Sequence, residues 1–381
     1  MKENPLLKLE ALGQSIWMDF IRRGMISSGQ LKQLIEEDGL GGVTSNPSIF
    51  EKAIAGSHDY DDAIRALALE DKSIDQIYAA VTVEDIQRAA DLFRPVYDRL
   101  NGADGFVSLE VSPYLAHDTA GTIAEARRLW LAVARPNVMI KVPATAEGLP
   151  AIQQLIGEEI NVNITLLFGL PRYRQVAEAY VAGLETLAAK GKSLKSVASV
   201  ASFFLSRIDV LLDPTLEKTM ASDNSKAALA ATLHGEVAIY SAKAAYLIYT
   251  EIFQNERFSK LKAQGARTQR LLWASTSTKN PLYHDTCYVE PLIAPHTVTT
   301  MPAETIAAFA DHGRVTANAI EADLEEAHDI LQDLERVGID FHCLTWQLQN
   351  EGIQKFIDPY DALMQALAAK NQEFLSKRAS R

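Results

Sequence analysis

The sequence predicts a (β/α)8 barrel with extra helices. Eight short apolar runs alternate with longer helical patterns, the signature of a parallel sheet under helices. The length of 381 residues suits such a barrel, which takes about 250 residues and up to 400 or more with insertions. An open doubly wound sheet is the competing architecture. It usually announces a nucleotide through a glycine-rich turn, and neither G-x-G-x-x-G nor G-x-x-x-x-G-K-[ST] occurs here.

The first run is residues 15–20, and residues 30–38 follow as a helix stopped by Gly39. The second run is 42–45. Thr82 and Asp85 form a capping-box pattern that predicts a helix from there toward Leu100. The third run is 105–111, followed by a helix over 123–134. Runs four and five are 137–142 and 160–168. A helix is expected over 171–189, then run six at 196–205. The Ala-rich stretch 216–253 reads as helix without a strand. Runs seven and eight are 270–276 and 297–300. Pro302 then marks a helix start, Gly313 its stop, and more helix follows. With no linker-like tract to mark a boundary, residues 1–381 read as one barrel domain with helical insertions and a C-terminal helical extension.

Composition excludes several classes. The chain has 37 basic and 49 acidic residues, a net charge of −12, which argues against a general nucleic-acid binder. Cys287 and Cys343 are the only cysteines and form no metal-ligand or disulfide pattern, which fits a reducing cytoplasm. The start, MKENPLLKLEALGQSIW, lacks the apolar core of a signal peptide, and no apolar stretch reaches the roughly 18 residues of a membrane helix. The basic segment 376–381 leaves open whether the chain is a piece of something longer.

Lys141 stands in an otherwise apolar run, VMIKVP. A buried ammonium must be paired or give up its proton, and the neutral amine is a nucleophile toward carbonyls. Strand parity supplies its companions, because alternate side chains face opposite sides. Val162, Ile164 and Leu166 share one parity; Asn161, Asn163 and Thr165 share the other. Ser108 and Glu110 oppose Val107, Leu109 and Val111. Asp19 shares its parity with Ser15 and Trp17. The polar members lie toward the C-terminal ends of the runs, where such barrels build active sites. Asp19, Glu110, Lys141, Asn163 and Thr165 are therefore expected to converge.

That set suits Schiff-base chemistry. A lysine amine adds to a ketone, and a carboxylic acid such as Glu110, working with Thr165 or a water, moves the protons. Asp19 is the candidate base at a sugar C4 hydroxyl. Asn163 and Asn46 can hold sugar hydroxyls without titrating. The iminium is the electron sink, so no metal and no cofactor is expected.

Five segments resemble the transaldolase family: GVTSNPSIFEKAI (42–54), VMIKVPAT (138–145), NVNITLLF (161–168), SFFLSR (202–207) and WASTSTKNP (273–281). The last is similar to the longer bacterial subfamily. The resemblance implies a class I aldolase barrel with the Schiff-base lysine on strand four. It implies transfer of a dihydroxyacetone unit from sedoheptulose 7-phosphate to glyceraldehyde 3-phosphate, in the non-oxidative pentose phosphate pathway. By position, Lys141 becomes the nucleophile and Asp19 the acid/base. Glu110 and Thr165 handle the catalytic water, while Asn46 and Asn163 hold the dihydroxyacetone portion. Ser202 and Arg207 meet the phosphate. The family's further phosphate-binding arginine is absent from 274–280; Lys279 is its natural substitute and Ser275 a further donor, with two extra residues in the segment. The expected partners are sugar phosphates, with neither nucleic acid nor membrane, and the chain is expected to be a monomer or homodimer. The rival readings are an aldolase that only cleaves or forms fructose 6-phosphate, and a non-catalytic sugar-phosphate binder.

Other residues are expected to be structural. Arg22 and Arg23 read as solvated or paired, His296 as a hydrogen-bonder, and Trp17 and Trp273 as inward-facing core. Tyr283 and His284 receive no role.

Overall fold

The structure, a computed structural model, describes residues 4–222 and 225–379. The last two residues of the basic segment 376–381 lie outside the described residues. Eight parallel strands close into a barrel in chain order: β1 (Gln14–Met18), β2 (Leu40–Val43), β3 (Phe106–Glu110), β4 (Val138–Pro143), β5 (Val162–Leu167), β6 (Ser199–Phe204), β7 (Arg270–Ala274) and β8 (Thr297–Met301). Each of the eight apolar runs overlaps one strand; β1, β2, β4 and β8 extend one or two residues beyond the run that marked them. These runs become strands because helices cover one face and the barrel interior the other, so nearly every position is buried. Extra helices precede β3, fill the connection between β6 and β7, and follow β8.

The floor of the barrel is polar but paired. Trp17 points inward and its indole N–H donates to Asp104 at 2.8 Å. Arg270 donates to Ser15 at 2.6 Å and approaches Asp104 at 3.3 Å. Trp17 fits because Gly42 faces it; a Cβ there would stand 2.6 Å from the indole. Trp273 differs from expectation. Its β7 neighbours Arg270 and Ala274 face the interior, so it faces outward. It packs edge-on against Phe203 and donates to the Leu292 carbonyl.

The helix expected to begin at Thr82 instead spans Ile74–Arg99. Ser73 caps it in a box with Gln76, an equally good signature farther upstream. Thr82 turns its hydroxyl back onto the Tyr78 carbonyl at 2.8 Å. Asp85 is fully buried and receives Arg23 at 2.8 Å and the Tyr60 hydroxyl at 2.7 Å. Arg23 is thus paired, as its sequence reading had it. Truncating one partner would strand the other charge. Asp85→Ala is expected to cost about 3–5 kcal/mol, read by urea unfolding.

Strand β5 departs from its simple alternation. Ile164 pairs with Ala201 but Leu167 with Phe203, so one residue is extra. Leu166 takes that place with φ +55°, a left-handed conformation rare for a leucine. The bulge turns Leu166 toward the helix Phe341–Ala379, whose Gly352 lies against it. That helix crosses the C-terminal ends of β4 and β5. Gln349 donates to the Ala144 carbonyl at 2.8 Å and to the Leu166 carbonyl at 3.3 Å. Lys370 anchors the far end to Asp61 at 2.6 Å.

Candidate active site

Register fixes the centre of the site. Glu110 at the end of β3 pairs with Lys141 on β4, and Lys141 with Asn163 on β5. All three side chains share the inward parity. The Lys141 Nζ lies 3.3 Å from Glu110 Oε2 and donates to the Ser45 carbonyl at 2.9 Å. Lys141 is only 3% exposed, and the Phe356 ring stands 5.9 Å from its nitrogen. The buried amine thus has a carboxylate at close range.

Burial pushes the Glu110 carboxyl up to about 7, against the pull of Lys141 and with a smaller push from Asp19. The group can therefore exist in either form near neutrality, which proton relay requires. Asp19 lies just beyond β1, its N–H bound to the Met301 carbonyl. Thr44 donates to its Oδ1 at 2.6 Å, which orients the carboxylate. Burial lowers the Arg207 guanidinium from its ordinary value, opposed by Asp19 and Glu110.

A cavity of about 550 Å³ opens above Lys141, a size typical of small-ligand sites. Eight of the ten candidate residues line it: Asp19, Asn46, Lys141, Thr165, Ser202, Arg207, Ser275 and Lys279. Two do not. Glu110 touches Lys141 but otherwise borders a separate cavity of about 320 Å³. Asn163 is fully buried; it donates to Ser108 at 3.0 Å and accepts from Ser202 at 2.7 Å. Both ends of its amide are engaged, so as it stands it braces Ser202 rather than facing the cavity.

Asn46 caps the helix Pro47–Ala55 through its side-chain oxygen. Arg207 lies in the first turn of the helix Ser206–Ala221, where backbone N–H groups favour an anion. Ser206 and Ser275 hydroxyls meet at 2.9 Å, and Ser275 adopts φ +57° at the end of β7. Lys279 is exposed on the cavity rim and donates to Ser277 at 2.6 Å. Glu110 Oε2, Thr165 Oγ1 and Arg207 Nη1 are buried atoms with no hydrogen-bond partner among the described residues. The approach of Lys141 to Glu110 is an ionic contact rather than a directed hydrogen bond. Each such group costs about 1–3 kcal/mol.

Residues 16–367 match the family described as Transaldolase/Fructose-6-phosphate aldolase. The chain belongs to this family. It is 48% identical over 375 residues to a transaldolase of Trichodesmium erythraeum, covering 97% of this chain and 98% of that one. It is 47% identical to transaldolase 2 of a Nostoc species over the same shares. A transaldolase of Saccharopolyspora erythraea is 46% identical, over 94% of this chain and 96% of its own. The resemblance implied a family lysine on strand four, and Lys141 is on β4.

Several contributors escaped the sequence reading. Thr44 lies in a segment already singled out, and Ser108 has the inward parity, so both had a signal. The Ser45 carbonyl has none, since every residue carries one. Phe356 and Gln349 sit in a helix far along the chain, with no pattern linking them to β4.

Arg22, His296 and Tyr283 lie outside the lining of the cavity. Arg22 is half exposed and 3.4 Å from Asp59. His296 is exposed, with its backbone N–H on the Gly13 carbonyl. Tyr283 donates to Asp213 at 2.6 Å. No helix among the described residues is long and apolar enough to cross a membrane.

Proposed function

We propose that the protein is a transaldolase. It moves a dihydroxyacetone unit from sedoheptulose 7-phosphate to glyceraldehyde 3-phosphate through a Schiff base on Lys141. The products are erythrose 4-phosphate and fructose 6-phosphate, in the non-oxidative pentose phosphate pathway of the cytoplasm. The observation that carries this reading is the Lys141 amine, buried beneath a sugar-sized cavity 3.3 Å from Glu110.

Lys141 passes a proton to the Glu110 carboxylate and adds to the ketose C2. Glu110 returns the proton to the departing hydroxyl, which leaves as water, and Thr165 holds that water. Asp19 then takes the C4 hydroxyl proton. The C3–C4 bond breaks, its electrons pass into the enamine, and erythrose 4-phosphate departs. The enamine carbon attacks the aldehyde of glyceraldehyde 3-phosphate, and Asp19 protonates the new C4 oxygen. Water, activated by Glu110, finally hydrolyses the iminium and frees Lys141. Asn46 holds the transferred unit. Ser202, braced by Asn163, joins Arg207, Ser275 and Lys279 around the phosphate.

Borohydride reduction with fructose 6-phosphate, followed by peptide mapping, tests the reading. An adduct is expected on Lys141, and its absence would defeat the mechanism. Product analysis with and without glyceraldehyde 3-phosphate separates transfer from simple cleavage; transfer is expected to dominate. Arg207→Lys keeps the charge but loses the two-pronged geometry. It is expected to raise KM for fructose 6-phosphate by about 10- to 100-fold, with a smaller change in kcat. Light scattering decides between monomer and homodimer.

A further inference from the structure

The segment after β7 carries a second cluster of chemical groups, outside the sugar cavity. One nitrogen from each of His284 and His312 and one oxygen of Asp285 lie within 4.8 Å of one another. We propose that these three side chains form a binding site for a borderline transition-metal dication of the zinc or nickel class.

The ligand types decide the class. Two imidazoles and one carboxylate suit zinc, nickel or copper, whereas calcium and magnesium prefer all-oxygen sets. Zinc bonds of about 2.0–2.2 Å draw three such atoms together within a few ångströms. His312 Nε2 is already 2.9 Å from Asp285 Oδ1. Small side-chain rotations at an exposed position suffice to complete the set, and water fills the remaining coordination.

An outer partner holds the His312 ring, as in built metal sites. Asp311 lies 3.3 Å from His312 Nδ1, which leaves Nε2 as the ligand. His284 Nδ1 lies 3.5 Å from Asp285 Oδ1 and 2.7 Å from Thr286 Oγ1, so the ring is held beside the carboxylate. The two rings meet edge-on at 5.5 Å. Exposed ion pairs of this kind add little stability, so stability alone does not account for the convergence.

The placement gives the ion a structural consequence. His284 and Asp285 follow β7, whereas His312 ends the helix Ala303–His312. An ion would tie these elements together. The His284 carbonyl also accepts from Thr278 at 3.0 Å, next to Lys279.

Equilibrium dialysis of the full chain against zinc or nickel chloride, followed by elemental analysis, tests the site. One saturable ion per chain is expected. The double variant His284→Ala/His312→Ala should lose it. Asp311→Ala, which removes the outer partner of His312, should weaken binding by about 10-fold or more. Cys287→Ser/Cys343→Ser should bind as the wild type does. Absence of saturable binding, undiminished binding in the histidine variant, or loss in the cysteine variant would each overturn the proposal. His284 and His312 are exposed, so their double substitution leaves the core untouched.

Discussion

Lys141→Met is expected to lower turnover by on the order of 10⁴-fold or more and to abolish the borohydride adduct. Methionine keeps the length of the side chain and its apolar contact with Phe356, so packing is preserved. The change removes the charge that holds the Glu110 carboxyl down, so that carboxyl should rise further above about 7 and stay protonated. The fold should survive, because a neutral buried acid costs far less than an unpaired carboxylate. Circular dichroism checks the fold, and coupled assay of sugar-phosphate transfer checks the rate. Turnover within tenfold of wild type would show that another group does the chemistry.

Glu110→Gln is expected to slow Schiff-base formation by about 10²–10⁴-fold. The amide keeps the shape but can neither take the amine's proton nor give it back. The pH dependence carries the sharper signature. Below about 7 the Glu110 carboxyl is protonated and offers no base; above it the carboxylate can accept. Single-turnover trapping should therefore speed up as pH rises through about 7, and this limb should flatten in the variant. The same shift affects stability. The folded carboxyl lies above its ordinary value of 4.5, so its contribution is complete below about 4.5 and lost as pH rises through about 7. Denaturant titrations at pH 5 and pH 8 should show that loss in the wild type and much less of it in the glutamine variant.

Much of the barrel was legible because strands buried on both faces leave continuous apolar runs. The polar members of one parity, Asp19, Glu110, Lys141 and Thr165, then stand out against them. Parity alone failed where the backbone departs from regularity. The bulge at Leu166 re-aims one side chain, and nothing in NVNITLLF marks it. Trp273 shows the complementary weakness: a large apolar residue fits either face, so its type did not reveal its side. The helix start at Ser73 lost to a second capping pattern at Thr82, which tertiary pairing of Asp85 overrides. Asn163 has the right type and parity, yet its amide is engaged by Ser108 and Ser202. Only distances between strands reveal such bracing.

The helix Phe341–Ala379 sets the order in which the site is finished. A polypeptide made from its N-terminus has all eight strands on hand before Phe341 is added. At that stage the Lys141 chamber lacks Phe356, and the Ala144 and Leu166 carbonyls lack Gln349. Docking of the last helix then supplies the ring beside the amine and closes both carbonyls. A chain cut just ahead of Phe341 is expected to lose turnover although every proposed reacting group remains, and full activity of such a chain would refute this dependence.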